Sequence, residues 1–213
     1  MSAFTTVHLL RHGEVHNPEG VLYGRLPDYH LSERGHLMAQ RAADVLANRE
    51  IAVVTASPLD RAQETAAPIA ALHGLEVGVD ERLIEAGNTF EGQRVGVGDG
   101  VLRSPSSWRH LWNPFTPSWG EPYEQLARRM RSSIIAAKQL APGKEIVLVS
   151  HQLPIWIARL NAEQRRYWHD PRKRQCGLAS LTSLRFTDDD LTSITYTEPA
   201  RDLIAGASPG RGA

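Results

Sequence analysis

The stretch FTTVHLLRHGE, residues 4–14, determines the fold, because a mostly apolar run leads directly into charged residues and a glycine. Residues 4–10 have the character of a buried strand. The ten residues that follow, RHGEVHNPEG, contain the Gly, Asn and Pro that end a strand in a turn. The sequence therefore predicts that a buried strand delivers Arg11 and His12 into a loop.

The rest of the chain alternates between predicted strands and predicted helices. Strands are expected over 51–57, 75–80 and 145–151, and helices from Ser32, over 58–72, over 122–140 and from Pro154. Residues 177–186 and 190–198 flank an Asp-rich turn and favour a β-hairpin. Since the strand at 51–57 lacks polar alternation, helices should cover both faces of the sheet. This pattern predicts an α/β fold, a three-layer α/β/α sandwich whose central sheet is mostly parallel, with an antiparallel edge strand or hairpin near the C-terminus.

Composition and charge restrict the class of protein. The 213 residues include 24 Lys and Arg, 24 Asp and Glu and one cysteine, so the chain has no net charge and is long enough for one large domain. This balance gives no general attraction to nucleic acid or to an anionic membrane. The lone Cys176 excludes an internal disulfide and a zinc site of paired cysteines. With no recognisable signal peptide and no run of ~18 apolar residues, a cytoplasmic location is expected.

Two segments depart from the alternation within the single domain expected over residues 1–213. Residues 92–121 are rich in Gly, Pro and Trp without a clear period, and a structureless segment of this length is usually functional or mobile. The last residues, 200–213, have the composition of a flexible tail. The regular part of the fold is therefore expected outside these two segments.

Basic side chains follow three of the predicted strands. Arg11 and His12 follow the first strand, Arg61 lies shortly after the second, and His151 lies at the end of the strand at 145–151. Because ligands bind beyond the carboxyl ends of strands in open α/β sheets, these side chains should converge on one crevice. Guanidinium groups match phosphate oxygens, and an imidazole can attack phosphorus or bind its oxygens. Each residue alone is compatible with a structural hydrogen bond, but the four together indicate a site for a phosphate dianion.

Several longer segments give a more specific identification. LLRHGE at 9–14 resembles the signature of the histidine phosphatase superfamily, in its phosphoglycerate mutase-like branch. The likeness spans roughly residues 5–190 and continues through LSERG (31–35), SPLDRAQETA (57–66), LIEAGNTFEG (83–92) and VLVSHQLPI (147–155). Three residues such as RHG recur by chance, so the resemblance depends on their combination with SPLDRAQETA and a late strand that ends in Ser-His.

The resemblance implies a role for each matched catalytic position. His12 would attack the phosphoryl group and form a phosphohistidine. Arg11, Arg61 and His151 would bind the three equatorial oxygens in the transition state. Glu85 would protonate the leaving alkoxide and then activate water, for which burial or the charge of the substrate must raise its pKa. No metal or other cofactor is implied, since the protein itself supplies the positive charge.

The chain departs from the family pattern at two places. Asn17 follows His12 by five residues, where the family commonly has six. After Glu85, the aromatic-Glu-Gly segment that contains Glu91 arrives one residue early. Both loops are interpreted as shortened, and Glu91 stays a competitor to Glu85 for the acid role.

Further features concern the substrate. The insertion at 92–121 lies where family members often place a lid, and Trp112 would supply part of an apolar wall. A basic cluster, Arg165, Arg166, Arg172, Lys173 and Arg174, is interpreted as a solvated surface or an oligomer contact, with a rim that attracts anionic substrate as the alternative. The expected substrate-binding residues are Asn17, Tyr23, Gly24, Gln152 and Trp112.

The expected function is metal-independent hydrolysis of a small phosphorylated metabolite through a phosphohistidine. The mutases of the family are typically longer, with a C-terminal tail that shields the phosphoenzyme, whereas this chain ends in the short ASPGRGA. A phosphoglycerate mutase-type phosphoryl transferase and a non-catalytic phospho-ligand binding protein are the alternatives. The expected partner is the metabolite, not nucleic acid or membrane, and the sequence is compatible with a homodimer formed through a sheet edge or an exposed helix.

Overall fold

The computed structural model of the protein describes residues 4–93 and 120–204. Its strands are β1 (Phe4–Arg11), β2 (Ile51–Ala56), β3 (Val77–Val79), β4 (Glu145–Ser150), β5 (Leu181–Thr187) and β6 (Asp190–Thr197). Its helices are α1 (Glu33–Leu46), α2 (Asp60–Leu72), α3 (Tyr123–Leu140), α4 (Gln152–Ala162) and α5 (Arg201–Ile204). Up to β6, strands and helices follow one another in the order that the sequence predicts.

The six strands form one sheet in the order β3-β2-β4-β1-β5-β6. Strands β1 to β4 pair in parallel, and β5 and β6 form an antiparallel hairpin that completes one edge. This topology confirms the predicted fold class. The register places Arg11 of β1 beside Ser150 of β4, so both strands end at the same level. The residues that follow them, His12 and His151, therefore leave the sheet side by side.

Helices cover both faces of the sheet, and each face has its own apolar core. On the first face α3 and α4 pack against the sheet through Leu126, Met130, Ile155, Leu160, Leu9 and Leu148. On the second face α1 and α2 pack against it through Leu46, Ala66, Ile69, Leu10, Val54 and Val149. Neighbouring residues of one strand thus belong to opposite cores, as the alternation of side chains along a strand requires. Burial on both faces explains why the central strands are continuous apolar runs.

The helices that lead into the site begin where local chemistry allows. Helix α1 begins as predicted after Ser32, whose hydroxyl oxygen accepts a hydrogen bond from the Gly35 N–H at 3.0 Å. Helix α4 begins at Gln152, before the predicted start at Pro154. Proline is compatible with the first turn because the N–H that it lacks has no partner within the helix there. Helix α4 consequently starts directly after His151.

The loop at residues 11–13, here the RHG loop, contacts the first turn of α1 through two glycines. A Cβ atom on Gly13 would lie 2.6 Å from the carbonyl oxygen of Gly35, and one on Gly35 would overlap the carbonyl oxygen of Glu14. The Ser32 hydroxyl also donates to Glu14 Oε2 at 2.6 Å. At Gly13 and Gly35 the LSERG segment therefore packs against the loop that carries His12 with no room for a larger residue.

Two of the predicted segments lie largely outside the described residues. The residues outside the described ranges are 94–119 of the predicted lid, including Trp112, and 205–213 of the predicted tail. At the start of the tail segment, residues 201–204 form α5, and Ala200 is fully buried in an apolar cluster with Met38. Across residues 4–93 and 120–204, no helix has both the length and the apolar character needed to cross a membrane.

Candidate active site

Four of the predicted catalytic residues meet at the carboxyl ends of β1 and β4. His12 follows Arg11, and its N–H donates to the Ser150 carbonyl oxygen at 3.1 Å. His151 follows β4, and the ring centroids of His12 and His151 lie 5.1 Å apart. Arg61 lies in the first turn of α2, and its charge acts on both imidazoles. All four side chains are at most 4% exposed, so the structure brings them together in a buried site.

His12 presents an unprotonated nitrogen to this site. Its Nδ1 lies 2.8 Å from the Gly13 carbonyl oxygen, and because a carbonyl can only accept, Nδ1 carries the proton. The lone pair is then on Nε2. Burial, together with the charges of Arg61 and Arg11, lowers the pKa of His12 well below its ordinary value. The imidazole is therefore neutral at neutral pH and is competent as a nucleophile.

His151 is oriented by Ser57, which directly follows β2. The Ser57 hydroxyl oxygen lies 2.8 Å from His151 Nε2 and accepts a hydrogen bond from the Leu59 N–H at 3.4 Å. A hydroxyl that accepts from one neighbour can donate its own proton to Nε2, which leaves the ring proton on Nδ1. Burial and the charge of Arg61 lower the pKa of His151 well below its ordinary value. A neutral ring with one N–H is thus available to bind an oxygen atom.

The two arginines are each anchored by a backbone carbonyl. Arg11 Nη1 donates to the Cys176 carbonyl oxygen at 2.8 Å, and Arg61 Nη2 donates to the Gly24 carbonyl oxygen at 2.5 Å. Within residues 4–93 and 120–204, Arg11 Nε, Arg61 Nε and His151 Nδ1 are buried without a hydrogen-bond partner. Buried polar atoms almost always have a partner in proteins. Three exceptions in residues that surround one histidine indicate a ligand with several anionic oxygens.

Glu85 supplies the carboxyl group of the site. It is 3% exposed, and its Oε1 accepts a hydrogen bond from the Ala86 N–H at 2.8 Å. Burial raises the pKa of Glu85, and this effect outweighs the opposing influence of the Ala86 N–H and of Arg61 and Arg11. The carboxyl group therefore keeps its proton to a higher pH than an exposed glutamate does. A protonated carboxyl in this position can donate to a leaving group.

Glu91, the alternative acid, is only half-buried. Its Oε1 accepts a hydrogen bond from the Asn88 N–H at 3.1 Å. Its side chain also packs so closely against Gly24 that a Cβ atom there would overlap it, and Gly24 has a left-handed φ of 38°. Glu91 thus supports the loop whose carbonyl holds Arg61, and the geometry favours Glu85 as the acid.

Tyr23 lies against Arg61, whereas Asn17 makes local contacts. The Arg61 guanidinium lies 4.7 Å from the centroid of the Tyr23 ring, which stacks on Tyr29 at 5.0 Å. Burial raises the pKa of Tyr23, so its hydroxyl stays protonated. Asn17 Nδ2 donates to the Val21 carbonyl oxygen at 2.8 Å, and its Oδ1 accepts from the Val21 N–H at 3.0 Å. These bonds close the loop of Asn17, and its contact with phosphate stays a prediction.

Arg174 belongs to the surroundings of the site, although the sequence groups it with a surface cluster. Its Nη1 donates to Gln152 Oε1 at 3.3 Å, and Gln152 Nε2 donates to the Cys176 carbonyl oxygen at 3.3 Å. The same oxygen accepts from Arg11. Arg172, by contrast, is exposed. The sequence does not show which of the two arginines faces the site. Arg174 faces inward because it follows the turn at Pro171–Lys173.

A second group that the sequence did not reveal holds the backbone of Glu85. Arg25 Nε donates to the Glu85 carbonyl oxygen at 2.7 Å, and Arg129 Nη2 donates to it at 3.3 Å. The carboxylate of Glu121 binds both arginines, at 2.9 Å from Arg25 and 2.8 Å from Arg129. Glu121 and Arg129 are eight residues apart, but Arg25 and Glu85 come from distant parts of the chain, so no local spacing relates the whole group.

Among the described residues, one group of side chains has the spacing of metal ligands. Asp28, His30 and Asp60 each place one ligand atom within 4.8 Å of the others, but two of the three are exposed and His30 Nδ1 pairs with Glu64 Oε1 at 2.6 Å. None of them is among the residues gathered around His12. The donors at His12 are cationic or N–H groups and are suited to an anion.

The chain matches the family model of the histidine phosphatase superfamily (branch 1) over residues 7–198, which include all five predicted catalytic residues. It is 57% identical over 196 residues to the uncharacterized protein Rv0525 of Mycobacterium tuberculosis, covering 92% of this chain and 97% of the relative. It is 29% identical over 173 residues to phosphoserine phosphatase 1 of Hydrogenobacter thermophilus, covering 75% of this chain and 78% of that protein. Among solved structures, a mycobacterial glucosyl-3-phosphoglycerate phosphatase matches with a TM-score of 0.72 and 27% identity, covering 91% of this chain and 96% of that chain.

Proposed function

Because the chain belongs to the histidine phosphatase superfamily, we propose that it hydrolyses phosphomonoesters of small metabolites, without a metal, through a covalent phosphohistidine at His12. One observation carries this proposal. A neutral His12, with its proton held on Nδ1 by the Gly13 carbonyl, shares a buried site with the unpartnered donors of Arg11, Arg61 and His151. A lone-pair nitrogen beside donors for three oxygens suits attack on a phosphoryl group.

In the first step His12 Nε2 attacks phosphorus, so that a P–N bond forms as the ester P–O bond breaks. The Glu85 carboxyl group gives its proton to the leaving oxygen, and its raised pKa keeps that proton available. In the second step the ionised Glu85 takes a proton from water as the water oxygen attacks phosphorus. The P–N bond breaks, inorganic phosphate leaves, and both residues return to their starting states.

The two arginines and the N–H of neutral His151 act on the charge that moves between these steps. Arg11 Nε, Arg61 Nε and His151 Nδ1 would each donate to one of the phosphoryl oxygens, which gain charge in the transition state. Because Cys176, Gly24 and Ser57 already hold these side chains, little reorganisation is needed at the moment of reaction.

The relatives include both phosphatases and probable phosphoglycerate mutases, and the phosphatases support hydrolysis. The names of two of the matched proteins, phosphoserine phosphatase 1 and glucosyl-3-phosphoglycerate phosphatase, describe removal of phosphate from small metabolites. The match to the glucosyl-3-phosphoglycerate phosphatase covers 91% of this chain and 96% of that chain, so the likeness extends over nearly the whole domain. A small phosphorylated metabolite is accordingly the partner that we propose.

Substitution of the nucleophile tests the proposal. In the presence of EDTA, the wild-type protein should hydrolyse p-nitrophenyl phosphate, and His12→Asn should lower kcat by at least ~10³-fold. His16→Asn, which changes an exposed histidine of the same loop, should keep the wild-type rate. Alkaline-quenched wild-type protein should carry a phosphoryl group on His12 by mass spectrometry.

Three results would contradict the proposal. A wild-type rate in His12→Asn would exclude His12 as the nucleophile. A full loss of activity in EDTA would exclude the metal-independent mechanism. Interconversion of 3- and 2-phosphoglycerate without net release of phosphate would replace the phosphatase with a mutase.

A further inference from the structure

The side chain of Arg174 is held by two neutral partners. Its Nε donates to His169 Nε2 at 2.9 Å, and its Nη1 donates to Gln152 Oε1 at 3.3 Å. His169 Nδ1 in turn lies 2.6 Å from the Tyr167 carbonyl oxygen, so the ring proton is on Nδ1 and Nε2 accepts. Burial and the charge of Arg174 lower the pKa of His169, which keeps the ring neutral.

The charge of Arg174 is not neutralised by these contacts. In the described part of the chain Arg174 has no ion-pair partner and its Nη2 has no hydrogen-bond partner, whereas Arg159, Arg165 and Arg172 of the same region are each paired with a carboxylate. An arginine is charged at all physiological pH values. Among the described residues, this half-buried guanidinium therefore has no carboxylate beside it and is available to bind an anion.

Arg174 is connected to the catalytic arginine by a short chain of hydrogen bonds. Gln152 accepts from Arg174 and donates to the Cys176 carbonyl oxygen, which also accepts from Arg11 Nη1. The charge of Arg174 also acts on Glu85, the group that would protonate the leaving oxygen. Since Glu85 would protonate the leaving oxygen, a positive charge that reaches Glu85 also reaches the leaving group.

We propose that Arg174 binds a second anionic group of the substrate, a carboxylate or a further phosphate carried by the leaving group. This inference rests on the proposed phosphatase function and specifies its substrate class. The planar guanidinium binds such groups through two parallel hydrogen bonds. Arg11 and Arg61 would hold the phosphoryl group while Arg174, fixed by His169 and Gln152, selects esters with a second negative charge.

Matched pairs of substrates test the inference. O-phosphoserine and O-phosphoethanolamine differ by one carboxylate, and 3-phosphoglycerate carries a carboxylate where glycerol 3-phosphate carries a hydroxymethyl group. Fructose 1,6-bisphosphate and fructose 6-phosphate differ by one phosphate. The wild type should favour the more anionic member of at least one pair by about tenfold or more in kcat/KM. Whether a carboxylate pair or the phosphate pair shows the preference identifies the second anion.

Variants of Arg174 then assign the preference to this side chain. Arg174→Gln should reduce the ratio within the pair toward one, and Arg174→Lys, which keeps the charge without the planar fork, should give an intermediate ratio. Arg172→Ala removes an exposed arginine of the same cluster and should leave the ratio and the activity unchanged. Because the readout is a ratio within one variant, a lower amount of folded protein does not affect it.

The outcomes separate this inference from the proposed function. If the wild type hydrolyses p-nitrophenyl phosphate but shows no preference in any pair, or if Arg174→Gln and Arg174→Lys both keep the wild-type ratio, the second-anion site is wrong and the phosphatase stands. If the wild type hydrolyses none of these esters, the proposed function itself is wrong.

Discussion

At the scale of single residues, the site shifts the pKa values of two ionisable groups in opposite directions. Burial and two arginines lower the pKa of His12, while burial raises the pKa of Glu85. At neutral pH the proposed nucleophile, His12, is therefore deprotonated, and the proposed acid, Glu85, keeps its proton more readily than a solvated glutamate. The same burial produces both effects, because desolvation disfavours the charged form of each group.

Removing the charge of Glu85 should stabilise the fold at alkaline pH while it damages catalysis. A carboxyl group whose pKa is raised in the folded state contributes stability below its unfolded pKa and loses that contribution as the pH rises through the folded pKa. Glu85→Gln should thus have a higher Tm than the wild type at pH 8 and the same Tm below the ordinary pKa of glutamate. A glutamine oxygen can still accept from the Ala86 N–H. Turnover of an alkyl phosphate should fall on the order of 10²- to 10⁴-fold.

Calorimetry of the two proteins between pH 4 and pH 8 measures this difference. Glu76→Gln, at an exposed glutamate, should follow the wild type at every pH. A Glu85→Gln protein that is less stable than the wild type at pH 8 would show that the ionised carboxylate is favourable in the site. The assignment of Glu85 as a protonated acid would then be wrong.

At the scale of elements, alternating apolar runs are sufficient to predict the strands, the helices that pack between them and the final hairpin. The structure departs from these predictions at two element boundaries. β3 is restricted to Val77–Val79, within the predicted 75–80, at the open edge of the sheet, where pairing is available on one side only. The start of α4 at Gln152 shows that a proline in the first turn does not mark the first helical residue. Such boundaries depend on neighbours that a local pattern does not contain.

The packing of α1 on the RHG loop predicts an unusual response to alanine. In most exposed helical positions Gly→Ala stabilises a helix by about 1 kcal/mol. At Gly35 the added Cβ would overlap the backbone of Glu14, so Gly35→Ala should lower the free energy of unfolding by about 2 kcal/mol. It should also lower kcat, because the overlap displaces the loop that carries His12.

Gly74→Ala is the matched control for this prediction. Gly74 has a left-handed φ of 64°, but no atom lies within 4 Å of an added Cβ, so only backbone strain of about 1 kcal/mol is expected, with kcat unchanged. Urea unfolding midpoints and initial rates compare the two variants. A Gly35→Ala protein as stable and as active as the wild type would contradict the proposed contact between α1 and the RHG loop.

At the scale of the whole molecule, residues far apart in sequence form one site. Arg11, His12, Arg61 and His151 could be predicted because each follows a recognisable strand, and the ends of parallel strands meet. Arg174, Arg129 and Glu121 could not, because their positions depend on how loops and α3 pack across the ends of the sheet. Sequence patterns therefore predict the side chains that lie at strand ends. The structure is needed to find the side chains that reach the site only through tertiary packing.

An anion bound by the buried donors of β1, α2 and β4 together should stabilise the entire fold. Inorganic phosphate would bind the folded site and not the unfolded chain, which at a hundredfold excess over Kd adds about 2.7 kcal/mol and raises the Tm by roughly 5–10 °C for a chain of this size. Arg11→Met should lose most of that increase, whatever its own starting Tm, because it removes the unpartnered Nε. Arg172→Ala should show the full increase, since the guanidinium of Arg172 is exposed and paired with Asp170.

Thermal unfolding with phosphate, compared with sodium chloride at equal ionic strength, measures the effect. Equal increases in the two salts, or a wild-type increase in Arg11→Met, would mean that the buried donors of β1, α2 and β4 do not bind phosphate together.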